Sequence, residues 1–533
     1  MSRNPCRLSL TSRRLSIAAA ALTGIGCLLL QVSVARAIGS SSPAEVVVTF
    51  DTSHGPADRL AALLGSTSYG TDLDIADPDN PGVHAWREAG LAYYRAVNLF
   101  DGANGVQVSR EPRRGFRYDR YSRLFLRYQG LDRHLGYVRD VLGAVPIINV
   151  GEIPGVLSSC PDYPGGSTAC APTDWKEYSR LLTSVARHVD ARFPGLGERT
   201  WYEVGNEPES HDGAPGEYWM GYEWERLALA GSLRSSVDWF TAAYRGLKAA
   251  NPHARVAGPV TSHWAMGPDG CGAADWGPSE WLTQLAADGT GVVPDAIVYH
   301  DYAWAALDNG RLWCFGDGDD VSRASWLHGE AWTRTKLAAN GFSPNIPILL
   351  TEHNRDLSDT DHVQHKAAAH LAANIARVAN PINGSNLAQA DFYVFDGEPG
   401  HLMAMYAAEP ECRRPAWAAY AMLGAMVGQD ILDTASSGAA IDVLATGDPH
   451  APLARVLLAN DNPVAAPVSL AIRNLVDWSQ ATAHLQAIDA TSDACVPDAG
   501  SFQTVGVDEE GTLALTIEMP SFSVRLVTVT RHP

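Results

Sequence analysis

Two hydrophobic periods alternate through the middle of the chain. Leu131–Leu142 places apolar residues three and four apart, which predicts a helix, and Val145–Val150 follows as a short β-branched run, which predicts a strand. The order repeats. Thr173 or Asp174 can cap a helix carrying Leu181, Leu182, Val185, Ala186 and Val189, and Trp201–Val204 then reads as a strand. A helix over Trp239–Ala250 precedes a strand over Ala254–Pro259. Further strands are predicted at Leu91–Phe100, Asp295–Tyr302, Ile346–Thr351 and Ala390–Asp396. Helices alternating with short apolar strands imply an α/β fold. From about Gln429 the pattern changes. Stretches such as Ala454–Leu458 and Ser521–Val527 alternate in polarity and are separated by Asp, Asn, Gly and Pro, the signature of an antiparallel β-sandwich.

Composition narrows the setting. At 533 residues the chain is long enough for one large and one smaller domain, and 46% hydrophobic with 19% charged residues is a globular balance. The formal net charge is -20; residues 1–37 hold five Arg and no acid, so the rest carries -20 - 5 = -25. Such an acidic surface argues against nucleic acid and anionic membranes as partners. Arg13-Arg14, the apolar run Ile17–Leu30 and Ala35-Arg36-Ala37 read as a signal peptide over 1–37, of twin-arginine or general secretory type. The run is short and broken by Thr23, Gly24 and Gly26, so no membrane anchor is expected in the mature form and the protein should be secreted or periplasmic. Cys6 and Cys27 fall in that segment; the remaining six Cys fit no zinc spacing and suggest disulfides, Cys160 with Cys170 being the simplest pair.

The candidate chemistry lies at two strand ends. Trp201-Tyr202-Glu203-Val204 breaks at Gly205 and is followed by Asn206-Glu207-Pro208. Ile346–Thr351 ends in Glu352-His353-Asn354. A lone Glu after a strand is usually a solvated loop residue. Two of them, each after an apolar run, are what glycoside hydrolysis uses: one acid/base and one nucleophile or base.

Strand, Asn-Glu-Pro and, much later, strand, Thr-Glu resembles the clan A glycoside hydrolases, and most narrowly glycoside hydrolase family 39, which includes β-xylosidases and α-L-iduronidases. The resemblance runs from about Leu91 to the C-terminus. It implies a (β/α)8 barrel over 61–428, a β-sandwich over 429–533, and an N-terminal strand segment, 38–60, that joins the sandwich. It implies that Glu207 is the acid/base and Glu352 the nucleophile, without metal or organic cofactor, acting on an oligosaccharide, polysaccharide or other glycoside. Asn206 would bind the sugar 2-OH, Arg95 would orient the nucleophile, and His300 with Tyr302 matches the family's His-x-Tyr. Trp264 could stack on a sugar ring, Tyr393 or Phe395 would form the sugar floor, and Glu152 would line a subsite. The chain departs from the family at three points. Val97 or Asn98 stands where a sugar-binding His is usual, Gly205 replaces a Trp whose loss would widen or reshape the site, and Tyr393 or Phe395 stands where a Trp floor is usual. A sugar-binding protein on a decayed barrel is the alternative. A metal-dependent barrel hydrolase would want clustered His and Asp ligands, and no HxH-type pair supports one.

Overall fold

The computed structural model describes residues 43–67, 79–96, 99–100, 104–111, 123–159, 171–209, 232–267, 270–271, 276–314, 324–355, 364–396, 404–408, 411–438, 440–448, 451–476, 478–492 and 501–531. The signal segment, the Cys160–Cys170 pairing and positions 97 and 98 lie outside them. Eight strands close into a barrel: β1 (Gly65–Thr67), β2 (Tyr93–Ala96), β3 (Val145–Asn149), β4 (Trp201–Glu203), β5 (Arg255–Thr261), β6 (Ala296–Asp301), β7 (Ile348–His353) and β8 (Leu387–Phe392). Each pairs with the next in parallel, and β8 pairs back onto β1. The last strand thus starts three residues earlier than the sequence pattern suggests, and Tyr393 falls just beyond its end.

Side-chain alternation explains why these segments become barrel strands. In β6, Val298 points into the barrel core while Ile297 and Tyr299 point outward to the helix layer. In β4, Trp201 points in and Tyr202 out. The helices present matching faces. Trp175–Arg192 starts at Asp174, whose side chain accepts the Lys176 N–H at 2.8 Å. It buries Tyr178, Leu181, Leu182, Val185, Ala186 and Val189, a stripe at the helical period.

Nine further strands form one mostly antiparallel sheet, and three two-stranded hairpins stand apart from it. Its N-terminal strand, Ala44–Pro56, pairs antiparallel with Asp430–Ser436 and parallel with Ala466–Arg473. Both faces of the sheet are apolar. The strand Leu453–Asn460 turns Ala454, Val456 and Leu458 to the sheet's own core, and Leu457 and Ala459 to the core shared with the barrel. The helix Gln364–Ala379, which follows β7, is bound to this sheet: Arg377 donates to both Asp442 oxygens at 2.8 and 2.7 Å, and His370 Nδ1 lies 2.7 Å from Asp461 Oδ2. The sheet therefore braces the element that carries on from Glu352. A disulfide joins Cys271 to Cys314. No helix among the described residues is long and apolar enough to cross a membrane.

Candidate active site

Catalytic groups of a (β/α)8 barrel gather at the C-terminal ends of its strands, and the charged residues here converge there around Arg95. Its guanidinium, on β2, is fully buried. It donates to Glu203 through Nε at 2.8 Å and Nη2 at 3.0 Å, to Asn206 Oδ1 at 2.8 Å, and through Nη1 to Glu352 Oε1. Thr351 Oγ1 adds a hydrogen bond to Glu203 at 2.6 Å. Arg95 thus links the ends of β2, β4 and β7. Burial alone would weaken its charge, but the two carboxylates raise its pKa further above the ordinary arginine value.

Glu352 reaches this centre because β7 is irregular. Leu350 pairs with Tyr299 and His353 with Asp301, so three steps on β7 match two on β6. This bulge lets neighbouring residues both face inward: Thr351 meets Glu203 and Glu352 meets Arg95. Glu352 Oε2 accepts from the Tyr302 hydroxyl at 2.7 Å, and His300 Nδ1 lies 3.5 Å away. Burial would push this carboxyl up. The charges of His300 and Arg95 and the hydrogen bonds from Tyr302 and Arg95 outweigh it, holding Glu352 below the usual carboxylate range. For Tyr302, burial and the Glu352 charge push the phenol well up, so it remains a proton donor.

Glu207 sits in the left-handed region, with φ 45°, after Gly205 at φ 111°. Its N–H donates to the Val260 carbonyl at 2.8 Å, which fastens the loop to the end of β5. Its side chain is nearly buried, and its Oε1 lies 2.6 Å from His300 Nδ1. Burial would lower the His300 pKa, but Glu352's charge, the bond to Glu207 and Glu207's own charge raise it. Glu207, His300 and Glu352 each offer an atom within 4.8 Å of the others. Such a trio could ligate a metal, yet Arg95 already supplies a cation to Glu352 and repels a second one.

Arg95, Asn206, Glu207, His300, Tyr302 and Glu352 are thus brought together. Tyr393 is half-buried, with its ring 6.1 Å from that of Tyr302, whereas Phe395 is fully buried against Trp86 and Tyr406. Glu152 stands half-buried on the loop after β3, at the same end of the barrel. Two expectations are corrected. Trp264 has no exposed surface and packs on His263 and Trp332, so it offers no face to a sugar. A Cβ at Gly205 would lie 3.0 Å from the Pro259 carbonyl and 3.9 Å from the Trp239 ring, away from the carboxylate pair. At φ 111° no Trp fits that backbone, so its absence does not widen the cleft.

Several residues at this centre were given no role from the sequence: Glu203 and Thr351, described above, and also Trp304 and Glu209. Trp304 is half-exposed, stacked at 5.8 Å on the buried His263 and tilted at 6.0 Å against Tyr302. It follows Ala303, whose φ is 64°, and His263 Nε2 lies 3.2 Å from Asp301. A Trp two residues past His-x-Tyr was the available signal. Glu209, fully buried, accepts the Ser262 N–H and, at 2.8 Å, its hydroxyl through Oε1. Burial first, and then the charge of Glu207, push Glu209 up to about 8 against those hydrogen bonds.

Neither a protein-family model nor a curated protein sequence matches this chain. Solved structures share its fold. A GH39 enzyme from Xanthomonas axonopodis pv. citri aligns with TM-score 0.67 at 19% identity, covering 92% of this chain and 98% of that one. A monomeric β-xylosidase from Caulobacter crescentus CB15 aligns with TM-score 0.66 at 17% identity, covering 92% and 100%. A bacterial orthologue of human α-L-iduronidase aligns with TM-score 0.63 at 14% identity, covering 92% and 84%. The architecture is that of family 39 glycoside hydrolases, a barrel with a β-sandwich companion.

Proposed function

We propose that the protein is a retaining glycoside hydrolase, with Glu352 as nucleophile and Glu207 as acid/base. The observation that carries this reading is the closeness of the two carboxylates. Ligand atoms of both fall within 4.8 Å. Retaining enzymes hold the pair about 5–5.5 Å apart, whereas inverting ones leave about 6.5–9.5 Å for a water. The different surroundings of the two carboxyls support the division of roles. Glu352, held ionised by Arg95 and Tyr302, suits attack on the anomeric carbon. Glu207 takes one hydrogen bond from His300 at Oε1, which leaves Oε2 to deliver a proton to the leaving oxygen.

In the first step a Glu352 oxygen bonds to the anomeric carbon, the glycosidic C–O bond breaks, and the Glu207 proton passes to the departing oxygen. In the second, Glu207 takes a proton from water, the water oxygen bonds to the anomeric carbon, and the ester to Glu352 breaks. Asn206, whose oxygen is engaged by Arg95, presents its N–H groups to the sugar 2-OH. Tyr393 and Trp304 would supply apolar walls and Glu152 a subsite edge. No cofactor enters either step. The Cys271–Cys314 disulfide is in keeping with export to an oxidising compartment.

Aryl β-xylosides are the first substrates to try, because a β-xylosidase shares this fold. Glu207→Ala should be rescued by azide to a β-configured azide product, and Glu352→Ala should give the inverted adduct. Turnover by both variants at the wild-type rate would sink the assignment.

A further inference from the structure

The hairpin that follows Trp304 has a role the two carboxylates do not explain. Ala305–Asp308 pairs antiparallel with Arg311–Cys314, and its register sorts the side chains onto two faces. Ala305 opposes Cys314 and Leu307 opposes Leu312 on one face. That face is anchored: Ala305 belongs to the core between the barrel and its helices, Leu312 packs against that core, and Cys314 is bonded to Cys271 on the loop after β5. The other face carries Trp313 opposite Ala306, which is itself buried. Trp313 is 38% exposed, and the Arg311 guanidinium lies 4.5 Å from its ring centre. Continued one residue back, the same alternation puts Trp304 on this outer face. Trp304 in turn lies against Tyr302, which bonds to Glu352. Trp313 opposes a position two residues beyond Trp304, about 7 Å further along the strand.

We propose that this hairpin extends the cleft outward, with Trp313 as a platform for a saccharide ring beyond the one at Trp304. The substrate is then an oligosaccharide or polysaccharide rather than a small glycoside. An aromatic ring can cover the apolar face of a sugar while leaving its hydroxyls wet. The covalent anchor holds the platform in place before substrate arrives, so little ordering is left for the binding step. The proposal rests on the glycosidase reading for the position of the cleft, but its test does not need turnover.

Xylotetraose, cellotetraose and mannotetraose, with xylose, glucose and mannose as controls, are titrated calorimetrically into the full chain carrying Glu352→Gln, alone and combined with Trp313→Ala or Trp313→Phe. At least one tetrasaccharide should bind. Its affinity relative to the monosaccharide should fall about tenfold in Trp313→Ala and stay within about threefold in Trp313→Phe. The Phe variant keeps a ring, so its retention of binding separates lost stacking from a misfolded hairpin. No tetrasaccharide binding, equal binding with and without Trp313, or an equal loss for the monosaccharide overturns the proposal. Hydrolysis by the unsubstituted chain is assayed alongside. Trp313-dependent binding with no hydrolysis of any glycoside would keep the extended cleft and remove the enzyme reading.

Discussion

Tyr302→Phe is a small perturbation with a defined consequence. It removes a single hydroxyl that donates to Glu352 Oε2 at 2.7 Å in a buried setting. Hydrogen bonds to a charged group contribute about 1.5–3 kcal/mol, and a pKa unit corresponds to about 1.4 kcal/mol. The bond stabilises the ionised form of Glu352, so its loss lifts that carboxyl's pKa. Arg95 and His300 remain, so Glu352 still ionises. In a retaining mechanism the acidic limb of kcat/KM follows ionisation of the nucleophile in the free enzyme. That limb should therefore move to higher pH, while the alkaline limb moves less. The assay is the pH–kcat/KM profile of both proteins on one aryl glycoside, with melting curves to confirm folding. An acidic limb that stays in place or moves down would refute the link between Tyr302 and the charge on Glu352.

Glu209, with its pKa pushed up to about 8, binds a proton in the folded state that an unfolded chain releases near ordinary carboxylate values. Folded stability should then decline as pH rises from about 4.5 to 8. Glu209→Gln removes that decline, so melting curves of the variant and wild type should diverge in the variant's favour at higher pH; a gap independent of pH contradicts this. The Cys271–Cys314 bond closes a separation of 43 residues. Replacing both with Ser should cost about 2–4 kcal/mol, read as a lowered melting temperature; an unchanged temperature would show that packing of the hairpin suffices.

Much of this centre was legible in the sequence because its parts sit at strand ends that the hydrophobic pattern marks. Glu207 and Glu352 end apolar runs, Arg95 lies inside one, and His300 with Tyr302 closes another. The rest was hidden by backbone irregularity. The bulge in β7 breaks the two-residue alternation and turns Thr351 and Glu352 to the same side. A second bulge in β5, with Val260 at φ 63°, redirects the chain before His263 and Trp264. Trp264 consequently packs inward although it follows a strand end. Ala303 at φ 64° redirects the chain after Tyr302, just before Trp304. No propensity of Val or Ala announces a left-handed residue. The companion sheet was visible as alternation, but its order, with Ala44–Pro56 inserted between strands more than 370 residues away, depends on contacts no local pattern encodes.

The central claim is that Glu207 and Glu352 act together by double displacement. The most direct measurement is proton NMR of the anomeric signal during hydrolysis of an aryl glycoside by the full chain, recorded before mutarotation scrambles it. The two-step mechanism gives a first-formed sugar with the configuration of the substrate. A first-formed sugar of opposite configuration would mean that water attacks directly, and would contradict the role given to Glu352.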